Sequence, residues 1–246
     1  MKKFKISPDW QEELWYNFKR YKFEFEGHSA WVAVPYTPTG DGRWSWCAQW
    51  AEAFVERVGT TELLARGFHH AHIDVFETKC NKEGVEIMKR FHEFLVSRNL
   101  AEKVNLIGMS WGGYFSLRYA TTYPEKVRAL YLDAPVCNSA DWDSSADERV
   151  ADISKMYKMS IKELKESKLN PLNCVEKLKN IPLFIATGED DLVVKVATNI
   201  NLLEAELKRY EIPYTIVRRP AWGHHPHGFD NRTELIKFHE TAVKTK

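Results

Sequence analysis

Ser110 lies in Gly108-Met109-Ser110-Trp111-Gly112, a G-x-S-x-G pattern. The apolar run KVNLIGM, typical of a buried strand, precedes it, and a helical stretch follows. A serine at such a strand–turn–helix junction is exposed to substrate, and the flanking glycines leave room for the strand and the helix to pack closely. The pattern predicts that Ser110 is a nucleophile, with simple helix capping by the serine as the alternative.

Partners for Ser110 are available later in the chain. A serine hydroxyl becomes a good nucleophile only when a base takes its proton, and a carboxylate commonly orients that base. Acids follow the strand predicted over 181–187, in ATGEDDLVV, and histidines follow the last predicted strand, in AWGHHPHGF. The serine, the acids and the histidines each come directly after a strand, in that chain order.

This order, carried by the motifs GMSWGGY, GEDDLVV and GHHPHG, resembles the α/β-hydrolase superfamily of serine hydrolases across nearly the whole chain. The first two motifs are similar to those around the nucleophile and the acid of prolyl-oligopeptidase-type hydrolases. The third resembles the histidine loop of small single-domain bacterial esterases, including ones associated with carbohydrate esters. The resemblance implies a serine esterase that works through an acyl-enzyme, with a serine peptidase or amidase as the alternative because the same three residues can cleave both bond types.

The resemblance also assigns an acid. The family pattern Gly-x-x-Asp-x-x-Val falls on Gly188, Asp191 and Val194, so Asp191 is the predicted acid. Asp190 is the near alternative. Asp133, in YLDAP, is the second alternative, because some members carry the acid one strand earlier.

The same comparison assigns a base. The family's Gly-His step falls on Gly223 and His224, so His224 is the predicted base. His225 and His227 are the alternatives, or else residues of the loop or pocket.

Two backbone donors are expected for the oxyanion that forms when Ser110 attacks a carbonyl. One is the N–H of Trp111, the residue after the nucleophile. The other is expected from GDGRWSWC, which resembles the Trp-x-Trp form of this loop in some members and implies Trp44 or Ser45.

Tryptophans are frequent among these stretches, with nine in 246 residues. They are expected to form flat aromatic walls of a substrate pocket, which suit a sugar ring or an aromatic acyl group, although large core residues are the plain alternative. The predicted pocket residues are Trp46, Trp142 and Trp222.

A metal site is the main competing hypothesis. His70-x-His72-x-Asp74 begins the H-x-H-x-D-H pattern of binuclear metallohydrolases, and HHPHGFD adds further imidazoles. Val75 stands where that pattern requires its last histidine, and the three residues also fit one face of an ordinary strand. We therefore predict no metal and no other cofactor. A binding protein that kept the fold and lost the chemistry is a further alternative.

Strand and helix patterns alternate along the chain, which predicts an α/β-hydrolase fold with a mostly parallel central sheet and helices on both faces. An antiparallel hairpin is expected over 21–36 and a helix over 49–58. The alternation breaks over about 138–177, a polar and helical stretch that is expected to form a small cap on a single domain spanning 1–246.

Composition restricts the partners. The formal net charge of +1 gives no general attraction to nucleic acid or an anionic membrane, and no apolar run is long enough for a membrane span. The N-terminus lacks the apolar segment of a signal peptide, and the four cysteines show no CxxC spacing. These features predict a cytoplasmic protein with free thiols and with no nucleic-acid or membrane partner, whereas the small-molecule ester substrate is what the resemblance implies.

Overall fold

The computed structural model describes residues 3–141 and 148–242, and nine strands of these residues form its sheet. They are β1 (Gln11–Trp15), β2 (Phe18–Phe25), β3 (His28–Val34), β4 (Trp44–Cys47), β5 (His69–Ile73), β6 (Val104–Met109), β7 (Val127–Asp133), β8 (Leu183–Gly188) and β9 (Thr215–Arg219). The strand order is β1-β2-β3-β5-β4-β6-β7-β8-β9. The first three strands and the β3–β5 pair are antiparallel, whereas β5, β4, β6, β7, β8 and β9 run parallel.

Helices cover both faces of this sheet. In the described part of the chain they are α1 (Thr60–Ala65), α2 (Lys82–Ser97), α3 (Trp111–Thr122), α4 (Glu148–Tyr157), α5 (Ile161–Glu166), α6 (Ile200–Arg209) and α7 (Thr233–Thr241). One apolar cluster packs α2, α3 and α6 on one face, and a second packs α1 and α7 on the other. The predicted α/β-hydrolase architecture, a mostly parallel sheet between two helical layers, is confirmed. None of the described helices is long and apolar enough to cross a membrane.

Sequence periodicity explains the central elements. β6 and β7 are buried along their whole lengths apart from Arg128, and such two-sided burial gives continuous apolar runs rather than alternation. α2 begins where the Asn81 side chain accepts a hydrogen bond from the N–H of Gly84, at 2.9 Å, and its apolar stripe faces the sheet. Since β6, β7, β8 and β9 are parallel, the loops at their carboxyl ends meet at one edge of the sheet.

The antiparallel hairpin expected over 21–36 is confirmed as the pair of β2 and β3. A further strand that was not expected, β1, pairs with β2 from Gln11 to Trp15. One local expectation needs correction. Residues 51–59 form turns rather than the expected helix, which starts only at Thr60. Positive φ angles at Trp50 and Phe54, 65° and 51°, are incompatible with a continuous helix through this stretch.

The stretch predicted as a cap lies between β7 and β8. It contains α4, α5 and a run of 3-10 turns over Pro171–Leu178, which packs against α3 and α6. Its buried side chains include Leu164 and Val175, and Tyr157 hydrogen-bonds Tyr114 of α3, with 2.8 Å between the hydroxyl oxygens. The described part of this stretch is thus anchored on the helical layer, and its role as a cap stays a prediction. Trp142 lies outside the described residues.

All four cysteines are free and buried. Burial raises the pKa of the Cys47 thiol and of the Cys80 thiol to about 12. A thiol with so high a pKa stays protonated at neutral pH and is a poor nucleophile.

Candidate active site

Ser110 stands on the sharp turn between β6 and α3. Its backbone has φ 50° and ψ −122°, a conformation that costs a non-glycine residue about 1–3 kcal/mol and persists only where the surroundings hold it. The surroundings do so here, because Ser110 N donates to Asp133 O at 3.0 Å and Val136 N donates to Ser110 O at 2.9 Å. The turn leaves the Ser110 side chain on the wall of a cavity.

Glycines make this turn possible by close approach. A Cβ on Gly108 would lie 2.7 Å from Ser116 Oγ and 2.8 Å from Gly113 Cα, and one on Gly113 would lie 2.3 Å from Pro135 Cβ. Because the α3 backbone is packed this tightly against the end of β6, side chains at these positions would push the helix away. The close packing expected from the sequence is therefore present.

Ser110, His224 and Asp191 form a chain of hydrogen bonds. The Ser110 hydroxyl lies 3.0 Å from His224 Nε2, and His224 Nδ1 lies 2.7 Å from Asp191 Oδ2. A carboxylate can only accept a hydrogen bond, so Nδ1 of His224 carries a proton and its N–H donates a hydrogen bond to Asp191. Nε2 is then the acceptor for the serine O–H, as a general base requires.

The loop after β8 fixes Asp191. Its Oδ1 accepts hydrogen bonds from the backbone N–H groups of Val193 and Val194, at 2.9 and 2.8 Å. Burial by itself raises the pKa of Asp191, but the hydrogen bond from His224 and those from the loop outweigh it, and the net pKa lies below the ordinary value. Asp191 is therefore ionised at neutral pH. Asp190, the near alternative, is exposed.

A second aspartate–histidine pair lies beside the first. Asp133, the last residue of β7, accepts from His227 Nδ1 at 2.8 Å and from Gly228 N at 3.0 Å. It also accepts from Tyr131 Oη at 2.7 Å and forms an ion pair with Arg219 at 3.2 Å. The two residues weighed as alternatives in the sequence are thus partners of each other.

Asp133 is buried with no exposed surface and is held by these donors. Burial raises its pKa, but the hydrogen bond from His227 and the charge of Arg219 outweigh this effect, so that the net pKa is lowered. Because His227 and Gly228 both belong to residues 220–230, which we call the histidine loop, Asp133 ties this loop to the end of β7.

The third histidine of the loop, His225, is exposed, and its ring lies 4.7 Å from that of His224 and 4.9 Å from that of His227. Partial burial and then the neighbouring imidazoles lower its pKa. The three rings meet nearly at right angles, with interplanar angles of 84°, 82° and 73°.

A cavity of about 380 Å³ opens beside Ser110. Apart from the serine and the histidines, its described lining is apolar or aromatic, and none of it is Asp, Glu, Lys or Arg. A pocket of this kind favours an uncharged group next to the nucleophile. The described lining residues are Trp50, Ala53, Phe54, Met109, Ser110, Trp111, Val193, Val194, His224, His225 and His227.

The structure does not bring Trp44 and Ser45 to this cavity, which corrects the expected second oxyanion donor. Both lie inside β4, between β5 and β6, where backbone N–H groups serve the ladder. Trp44 Nε1 donates to Ala101 O at 2.9 Å, and Ser45 Oγ bonds His70 Nδ1 at 2.7 Å. The sequence WSWC forms the strand itself, and the loop in question begins after Cys47.

That loop passes over the start of α3. Gln49 N and O lie 3.2 and 3.0 Å from the position that a Cβ on Gly112 would occupy, and Trp50 lines the cavity. Trp111, the first residue of α3, also lines it. Trp111 therefore stands where the sequence predicts, whereas the second donor must be sought around Gln49 and Trp50.

Aromatic walls are present but are built mostly from other residues than expected. Trp46 is fully buried in the core, with its ring 5.3 Å from that of Tyr119. Trp222 packs under the Arg219 guanidinium, 4.7 Å away, and is not among the described lining residues. Trp50, Trp111 and Phe54 line the cavity instead. Trp50 is the next tryptophan after β4, separated from it by Ala48 and Gln49, and this position is a signal in the sequence. Phe54 carries no such signal.

The metal-like motif on β5 is dispersed into separate contacts. His70 is completely buried and bonds Ser45, and burial lowers its pKa to about 3. His72 Nδ1 lies 2.9 Å from Cys47 O, and the Asp74 carboxylate accepts from Phe76 N at 3.0 Å. The one group of possible metal ligands among the described residues is instead His224, His225 and His227.

Comparisons with known proteins agree with this architecture. A family model described as the alpha/beta hydrolase fold matches residues 65–173. An S-formylglutathione hydrolase from Agrobacterium tumefaciens superposes with a TM-score of 0.67 at 12% identity, covering 87% of this chain and 91% of that one. No curated protein sequence matches the chain significantly.

Two peptidases have a similar fold. An acylaminoacyl peptidase from Pyrococcus horikoshii gives a TM-score of 0.67 at 13% identity, covering 96% of this chain and 42% of that one. Dipeptidyl peptidase 4 from Porphyromonas gingivalis gives 0.62 at 16% identity, covering 95% and 34%. The present chain thus spans less than half the length of either peptidase. The chain has the α/β-hydrolase fold, and the resemblance to the α/β-hydrolase superfamily predicted from its motifs is confirmed.

Proposed function

We propose that the protein is a serine hydrolase that cleaves a carboxylic ester with an uncharged acyl group. The observation that carries this proposal is the continuous hydrogen-bond chain from Ser110 through His224 to Asp191, with 3.0 and 2.7 Å between the bonded atoms. Such a chain, on a strained turn that opens into a cavity, is the arrangement that activates a serine.

The reaction follows from the roles of the three residues. His224 Nε2 accepts the Ser110 proton as the hydroxyl oxygen attacks the ester carbonyl, and Asp191 stabilises the imidazolium that forms. The tetrahedral intermediate collapses when His224 gives this proton to the departing alcohol. Water then attacks the acyl-enzyme in the same way and releases the acid. The proposed reaction uses only these three residues and water and requires no cofactor.

The oxyanion is stabilised by the N–H of Trp111 and by a second N–H from the turn at Gln49–Trp50. The turn supports this assignment because it crosses the start of α3 and reaches the cavity at Trp50. Each such donor contributes about 3–4 kcal/mol of transition-state stabilisation.

The lining of the cavity supports a small acyl group. Trp50, Phe54 and Trp111 offer flat apolar surfaces, and the described lining carries no ionic group that would bind a charged substrate. An acetyl group or a compact aromatic acyl group fits this chemistry, and an acylated sugar is compatible with the aromatic rim.

Labelling by a fluorophosphonate probe tests the proposal. Wild type is expected to be labelled, and Ser110→Ala and His224→Ala are expected to lose labelling while keeping their circular dichroism spectra. Half-buried Ser7→Ala, near the N-terminus, is the matched control and should label like wild type. A folded wild type that resists the probe would refute the activated serine.

A serine peptidase is the second candidate, and the two peptidase folds among the comparisons favour it. Paired p-nitrophenyl ester and p-nitroanilide substrates with the same acyl group separate the two functions. The proposal expects turnover of the ester and little of the anilide. Equal or faster cleavage of the anilide would replace the esterase assignment with that of a peptidase.

A further inference from the structure

The histidine loop brings three imidazoles into a cluster that acyl transfer does not require. One ligand nitrogen from each of His224, His225 and His227 lies within 4.8 Å of the other two. A triad uses only the first of them. The other two line the same cavity, so the cluster is open to a solute that enters the site.

The anchoring of two of the rings suits metal binding. His224 and His227 each direct Nδ1 at a buried carboxylate, at 2.7 and 2.8 Å. This leaves Nε2 with its lone pair as the coordinating atom in both rings. A histidine that donates its other N–H to a carboxylate is the usual supporting arrangement around protein-bound zinc, since it fixes the ring and increases its basicity.

The spacing is close to what a metal needs. Nitrogens bound to one tetrahedral zinc lie about 3.4 Å apart, because each Zn–N bond is about 2.0–2.1 Å long. The three nitrogens lie within 4.8 Å of one another, so binding requires the rings to approach each other. The exposed His225 can move more readily than the two buried rings. A set of three neutral imidazoles favours Zn²⁺ over hard cations such as Mg²⁺.

We propose that His224, His225 and His227 together bind one Zn²⁺ ion, and that the bound ion inhibits the enzyme by occupying His224 Nε2. The lone pair that would accept the Ser110 proton is then donated to the metal, so Ser110 loses its base. Zn²⁺ is a reversible inhibitor here, and its removal restores the Ser110–His224 hydrogen bond. The inhibition rests on the proposed function, whereas the binding does not.

Zinc binding is measured first, without reference to activity. Untagged, metal-free full-length protein competes with a chromophoric chelator for Zn²⁺, and one site per chain is expected in wild type. His225→Ala should weaken binding at least about tenfold, or about 1.4 kcal/mol, because it removes one ligand. His225→Cys should keep a zinc site, since thiolate is also a zinc ligand. His28→Ala, at the β2–β3 turn, is the matched control and should bind like wild type.

Inhibition is measured next, with each variant's ester hydrolysis expressed relative to its own rate in EDTA. Zn²⁺ should slow hydrolysis by wild type and by His28→Ala, and EDTA should restore the rate. His225→Ala should need at least about tenfold more Zn²⁺ for the same fractional inhibition. Mg²⁺ should have no effect. Equal affinity of wild type and His225→Ala for zinc, or binding that leaves hydrolysis unchanged, would overturn the proposal. If metal-free wild type neither labels nor hydrolyses, the proposed function fails instead, and the binding measurement still decides the site.

Discussion

Two aspartate–histidine pairs stand side by side in this molecule and have different surroundings. In both, Nδ1 of a histidine donates to a buried carboxylate, over 2.7 Å for Asp191–His224 and 2.8 Å for Asp133–His227. The first pair continues to Ser110, whereas the carboxylate of the second is also bound by Arg219, Tyr131 and Gly228.

The difference shows that the pair alone does not define a catalytic role. Within residues 3–141 and 148–242, Asp191 is hydrogen-bonded only by its own loop and by His224, so it can respond to charge on that imidazole. Asp133 is saturated with donors from β7, β9 and the histidine loop, which suits a structural anchor. The first pair is therefore expected to matter for rate and the second for stability.

The largest expected effect is on the first pair. Asp191→Asn should lower kcat for ester hydrolysis by about 10⁴-fold, because the amide no longer holds the His224 tautomer or stabilises its charge. Asp190→Asn, the exposed neighbour, is the matched control and should keep nearly full kcat. Steady-state kinetics on a p-nitrophenyl ester measures both, and a loss in the control equal to that in Asp191→Asn would remove the assignment of the acid.

Asp133→Asn should act mainly on stability. It leaves the Arg219 guanidinium, whose side chain is 10% exposed, without its anionic partner. Breaking a buried pair in this way costs about 3–5 kcal/mol in the free energy of unfolding. Urea denaturation followed by tryptophan fluorescence measures this change.

Activity of the folded fraction then completes the comparison. Asp133→Asn should keep kcat/KM within roughly tenfold of wild type, or about 1.4 kcal/mol of transition-state stabilisation. A variant that is stable but lacks activity would reverse the roles of the two pairs.

Gly188→Ala should disturb the first pair through the backbone. A Cβ at this position would lie 2.3 Å from Trp222 O and 2.4 Å from Gly223 O, so the histidine loop would have to move. Displacing His224 by about 1 Å lowers kcat roughly 100-fold. Gly223→Ala is the matched control in the same loop, because its Cβ would meet only Asp190 O, at 3.9 Å. Comparable kcat values for the two variants would contradict this explanation.

The smallest expected effect concerns a buried histidine without a carboxylate. Neither nitrogen of His239 has a hydrogen-bond partner among the described residues, and burial lowers its pKa to about 3. The unfolded chain, with a histidine pKa of about 6.5, takes up the proton first, so acid destabilises the folded state as pH falls from about 6.5 toward 3.

His239→Phe should therefore reduce the loss of stability between pH 6.5 and pH 5, by up to about 1.4 kcal/mol per pH unit. Urea midpoints at the two pH values measure the slope, and His28→Phe is the control. An unchanged slope in His239→Phe would show that this histidine does not contribute.

The sequence predicted the first pair better than the second because motifs are local. Ser110 and Asp191 each follow a strand that its apolar run reveals, and His224 follows the last strand that the sequence predicts. The Asp133–His227 contact joins residues 94 positions apart and exists only because β7, β8 and β9 are neighbours. The sequence therefore indicates Asp133 and His227 separately, as alternatives for the acid and the base of the first pair, but does not indicate their contact.

β4 differs from its prediction for a related reason. Its four residues, WSWC, are all buried, so they lack the alternation that identifies a strand with one exposed face. The sequence therefore predicts a loop and a pocket for two tryptophans that the structure places in the sheet. The turn that follows β4 depends on positive φ angles at Trp50 and Phe54, which their residue types do not indicate.

The buried cysteines give the molecule an intrinsic reporter of its own fluctuations. Because every thiol is enclosed and free, a disulfide reagent can react only while the surrounding structure is open. Cys47 lies at the centre of the sheet, Cys137 follows β7 and Cys174 lies in the 3-10 turns. The labelling rate of each of these three cysteines, measured by mass spectrometry of the native protein, therefore gives the free energy of local opening at three places in the fold.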